Sequence, residues 1–71
     1  MPKRYSTRDI QRILLARGFT RVSQRGSHVK FSSGAHTAIV PAGRDVIRAG
    51  TFASILRQSG LTAADFESPQ A

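Results

Sequence analysis

Two histidines, His28 and His36, are the side chains of this sequence whose ordinary pKa, about 6.5, lies near neutral pH. His28 stands in the run Arg25-Gly26-Ser27-His28-Val29-Lys30, with one cation three residues before it and another two residues after. An imidazole so placed can accept and return a proton, while a neighbouring guanidinium or ammonium stabilises negative charge developing on oxygen. Gly26 would let a ligand backbone approach closely, and Ser27 could donate a hydrogen bond to an anion. A lone histidine on a strand is more often a residue without catalytic duty, and Arg25 and Lys30 are as readily solvated charges. The residues alone leave both readings open.

Other chemistries have less to work with. Cysteine is absent, which removes thiolate nucleophiles, thiolate metal sites and disulfides, and favours a reducing compartment, the cytoplasm by default. Four scattered acids and two distant histidines supply no metal cluster, and there is no Walker or dinucleotide-binding glycine loop, so neither metal nor cofactor is expected. No window reaches the roughly 18 apolar residues of a membrane span, and the basic start Met1 to Arg4 runs into a polar helix signal, so neither export nor insertion is expected. Charge is informative. The formal net charge is +7, and all eleven Lys and Arg lie between Lys3 and Arg57, opposed there only by Asp9 and Asp45. Such a field draws polyanions, nucleic acid first among them; a solvated basic surface, or one shielded by an acidic protein, is the plainer alternative.

Seventy-one residues make one domain, which buries only roughly 60% of its unfolded surface. Its ordered core is expected over about 5–61. Ser6 with Asp9 forms a variant capping box, Ile10, Ile13 and Leu14 recur on one helical face, and Gly18 supplies a stop, so a helix is predicted over 7–17. A strand follows over 19–24, interrupted by an Arg25-Gly26 turn. Residues 27–33 alternate, with Val29 and Phe31 on one face and His28, Lys30 and Ser32 on the other. If Gly34-Ala35 is a two-residue type II′ loop, residues 36–41 pair back with Phe31 opposite Ala38, Val29 opposite Val40 and Lys30 opposite Ile39.

Pro41 to Gly50 reads as a long surface loop. Thr51 is the expected cap of a second helix over 52–59 ended by Gly60, and Thr62 the cap of one more turn through Phe66. Residues 67–71 have nothing to bury and are expected to fray. The order helix, three strands, helix gives an α+β fold: a three-stranded antiparallel sheet with two helices packed on one face. That plan matches the double-stranded-RNA-binding-domain (dsRBD) architecture, α-β-β-β-α. It leaves His28 on the open face. His36 falls opposite Ser33 at the far end of the hairpin, about 17 Å from His28 along the strand and facing the other side, so no histidine pair forms. Ile39, apolar on the open face, is a natural anchor for a bound protein.

The sequence resembles the HicA-type (YcfA-like) toxins of bacterial toxin-antitoxin pairs over nearly its whole length. The resemblance rests on Arg17-Gly18-Phe19 ending the first helix, Gly26-Ser27-His28 opening a strand, Ile39-Val40-Pro41, and Gly50-Thr51 through Ile55-Leu56-Arg57-Gln58-Ser59-Gly60-Leu61. Many relatives have proline before the glycine-threonine pair, where this chain has Ala49. The resemblance implies an mRNA-cleaving endoribonuclease (mRNA interferase) whose catalytic histidine is His28, neutralised by a HicB-type antitoxin. Lys30, Arg25, Ser27 and Gly26 would then contact RNA, and the antitoxin would cover His28, Lys30 and Ile39. A non-catalytic RNA-binding module on the same architecture is the alternative. A DNA-binding regulator fits less well, because the helix after Thr51 offers only Arg57 and Gln58 as base readers.

Overall fold

The computed structural model describes residues 5–43 and 46–67. Its elements are α1 (Thr7–Ala16), β1 (Thr20–Arg25), β2 (His28–Ser32), β3 (Thr37–Pro41), α2 (Ala49–Ser59) and α3 (Ala63–Glu67), an α+β architecture in which helices pack against a three-stranded antiparallel sheet of order β1-β2-β3. Of residues 67–71, expected to fray, Glu67 is the last residue of α3 and 68–71 lie outside the described residues, as do Arg44 and Asp45. Among the described residues no helix is long and apolar enough to cross a membrane.

The capping box forms as the spacing requires: Ser6 Oγ accepts from the Asp9 amide at 3.1 Å and Asp9 Oδ2 accepts from the Ser6 amide at 3.3 Å. Ile10, Ile13 and Leu14 of α1 are buried against Val29 and Phe31 of β2 and Val40 of β3. The β2–β3 register is the expected one, His28 opposite Pro41, Val29 opposite Val40, Lys30 opposite Ile39 and Phe31 opposite Ala38, and Ser33 donates to the His36 carbonyl across the two-residue Gly34-Ala35 loop.

The other hairpin differs from the expectation. Arg25 pairs with His28, so β1 extends one residue further and the turn is Gly26-Ser27, not Arg25-Gly26. Gly26 takes a positive φ of 54°, which fits the first position of a tight hairpin turn and which side-chain-bearing residues rarely adopt. A bulge between Arg21 and Ser23 leaves Val22 as the extra residue. All six β1 residues are exposed, so the helices cover β2 and β3 but not the first strand.

The stretch after Pro41 is shorter and better anchored than a surface loop. Ile47 is buried and its amide donates to the Tyr5 carbonyl at 2.7 Å. Helix α2 starts at Ala49, not after Thr51: Arg48, in an extended conformation, is its N-cap and its carbonyl accepts from Phe52 at 2.8 Å, with no side-chain cap. Burying Ile47 draws the chain in early enough for Ala49 and Gly50 to enter the first turn. Tyr5, Phe52 and Phe66 then close the end of the core, with Tyr5 and Phe52 stacked at 5.2 Å and Phe66 edge-on to Phe52 at 5.3 Å. The last turn is capped by Thr62 as expected, Thr62 Oγ1 accepting from Asp65 at 3.3 Å and Asp65 Oδ2 accepting from the Thr62 amide at 2.9 Å.

Candidate functional site

Alternation along β2 puts Val29 and Phe31 into the core and turns His28 and Lys30, both exposed, to the face the helices leave uncovered. Directly paired residues of neighbouring strands project to the same side of a sheet. Arg25 on β1 therefore shares that face beside His28, and Ser23 and Ile39 flank Lys30. These five residues line a shallow depression of about 450 Å³ with no carboxylate in its walls. Four are polar, two of those permanently cationic, and the half-buried Ile39 is the apolar wall.

The position of His28 is fixed by the backbone on both sides. The Ser27 carbonyl accepts from the Ala42 amide at 2.6 Å, and the Pro41 carbonyl, opposite His28, accepts from the buried hydroxyl of Thr7 at 2.8 Å. On the outer edge of β3, Gln58 Oε1 accepts from the Ile39 amide at 2.8 Å. Helices α1 and α2 thus hold the strand that walls the depression. An exposed imidazole between cations, on a rigid strand, can exchange a proton with a ligand whose anionic group the cations attract.

Of the residues singled out from sequence, His28, Lys30, Arg25 and Ile39 come together. Gly26 and Ser27 form the turn adjoining His28 and do not line the depression. His36 is at the opposite end of the hairpin, where a Cβ on Gly60 would meet its Nε2 at 2.7 Å, so it packs over the C-terminus of α2. Sequence reasoning missed Ser23, which stands opposite Lys30 because the turn is Gly26-Ser27 and Arg25 pairs with His28; with an Arg25-Gly26 turn it would have faced His28. It also missed the supporting roles of Thr7 and Gln58, since a buried hydroxyl and an edge-capping amide leave no local pattern.

A short basic α-β-β-β-α chain that bares one histidine among cations on an open sheet face presents a surface whose field attracts anions. Residues 7–61 match the family model of the HicA toxin of bacterial toxin-antitoxin systems, and the chain belongs to that family. No curated protein matches it.

Proposed function

We propose that this toxin is a metal-independent endoribonuclease that cleaves mRNA, with His28 as its proton-transfer group. The neutral imidazole takes the proton from a ribose 2′-hydroxyl as that oxygen attacks the adjacent phosphorus. The phosphorus–5′-oxygen bond breaks, the imidazolium returns the proton to the departing oxygen, and the products are a 2′,3′-cyclic phosphate and a 5′-hydroxyl. Arg25 and Lys30 stabilise the charge on the phosphorane oxygens, and Ser27 and Gly26 border the phosphate. One observation carries this reading: His28 is exposed on the helix-free face with Arg25 and Lys30 on the same side.

The family supports an antitoxin as partner, and the net charge of +7 favours an acidic one. We assign that role to a HicB-type protein that covers His28, Lys30 and the Ile39 wall and so competes with RNA, in the cytoplasm. The deciding experiment compares wild type with His28→Ala on labelled RNA in the presence of a chelator. Cleavage falls at least about 100-fold in the variant, while RNA affinity and the melting temperature stay close to wild type because the side chain is exposed. Binding without breakdown by the wild-type protein would instead identify a non-catalytic RNA-binding module.

A further inference from the structure

The uncovered face of the sheet is divided lengthwise. Along β1 and β2 it carries donors in three successive cross-strand pairs: Arg25 with His28, Ser23 with Lys30, Thr20 with Ser32. The first two rows continue on β3 into apolar side chains, Pro41 beside His28 and Ile39 beside Lys30, both half-buried. Rows on one face of a strand recur about every 7 Å, comparable to the step between phosphates of an extended polynucleotide. A single strand is divided in the same way, with a charged sugar-phosphate edge and apolar base faces. A duplex stacks its bases inward and offers only phosphates, 2′-hydroxyls and groove edges, leaving Ile39 and Pro41 without an apolar partner.

We propose that this face binds single-stranded RNA running along β2, the backbone over the donors of β1 and β2 and the bases turned toward Pro41 and Ile39. The inference rests on His28 being the cleavage centre, which sets the scissile phosphate at the Arg25–His28 row. His28 is the first residue of β2, next to the Gly26-Ser27 turn, so the face extends from it in one direction only. The bound nucleotides therefore lie on one side of the scissile phosphate, the next on the Ser23–Lys30 row and the one after on the Thr20–Ser32 row. No Phe or Tyr of these strands stands on this face, since Phe31 of β2 is turned into the core. Bases are held by aliphatic contact, which is tolerant of sequence.

The test measures fluorescence anisotropy of the full chain with uncleavable 2′-O-methyl probes, a single strand and a blunt duplex of the same sequence. The single strand is expected to bind at least fivefold tighter although the duplex carries twice the phosphates. Ile39→Ser should weaken single-strand binding at least threefold without changing duplex binding, a melting curve confirming that the variant is folded. The double variant T20V/S32A, which leaves Ile39 in place, should abolish the gain from lengthening the probe on one side. Equal or tighter duplex binding, or unchanged single-strand binding by folded Ile39→Ser, would overturn the inference. Cleavage of unmodified RNA by the same preparation reads the nuclease assignment separately. Cleavage with duplex-preferring binding overturns this inference and leaves the nuclease assignment; single-strand preference without cleavage overturns the nuclease assignment and the placing of a scissile phosphate, and leaves the single-strand binding face.

Discussion

The hydroxyl of Thr7, buried in the first turn of α1, donates to the carbonyl oxygen of Pro41 at 2.8 Å, and Pro41 is the residue directly across the sheet from His28. Helix layer and functional face are thereby tied at one point. Replacing the hydroxyl with a methyl group of nearly the same size leaves that carbonyl without its donor, at a cost of about 1–3 kcal/mol. Thr7→Val should lower the urea midpoint accordingly. An unchanged midpoint would show that the bond adds nothing to stability.

Ala49 is the first helical residue of α2, and Arg48 before it holds φ −68° and ψ 152°. That is the extended conformation a following proline requires, and at the first helical position the missing N–H is not needed. Ala49→Pro should therefore stabilise the protein by about 0.4–1 kcal/mol, chiefly by restricting the unfolded chain. Chemical denaturation would register this as a higher midpoint at constant slope, and destabilisation would refute the assignment of the helix start.

Gly60 ends α2 at φ 74°, with the His36 ring where its Cβ would be. Gly60→Ala should cost about 1–2 kcal/mol from the left-handed backbone alone. His36 is exposed and can swing aside, so the double variant with His36→Ala should recover little of the loss. Full recovery in that double-mutant cycle would mean the ring contact, not the backbone, sets the cost.

The carboxyl of Asp65 is held below its ordinary pKa, first by the hydrogen bond from the Thr62 amide, then by the Thr62 hydroxyl and the Arg17 guanidinium. A depressed carboxyl pKa means that the unfolded state binds the proton more readily. The stabilisation is complete above the unfolded value of about 3.9 and disappears as pH falls through the lower folded value. The difference in urea midpoint between wild type and Asp65→Ala should accordingly be constant from pH 7 to pH 5 and shrink below pH 4. A difference that grows on acidification would contradict this cap.

The elements with periodic or paired signals were legible from sequence. Ile10, Ile13 and Leu14 mark the buried stripe of α1, Ser6 with Asp9 marks one helix start and Thr62 another, and the Gly34-Ala35 loop sets a register that places His28 and Lys30 on the open face. What escaped depends on tertiary contact. Thr51 resembles a cap more than Arg48 does, but burial of Ile47 and its bond to Tyr5 move the start of α2 forward. The turn at Gly26-Ser27, one residue later than expected, brings Ser23 opposite Lys30, and the bulge at Val22, an inserted residue with no signature of its own, sets Thr20 opposite Ser32. Gln58 reads as a polar surface residue until β3 is set beside it.

The two borders of the sheet are finished differently. On β3 the Ile39 amide is taken by Gln58, Pro41 has no amide to offer, and its carbonyl is taken by Thr7, whereas all six residues of β1 are exposed. A ribbon border occupied at those positions is a poor template for stacking. Two copies that met through β1 would leave outward only borders already occupied at Ile39 and Pro41, which disfavours strand-to-strand growth beyond a pair.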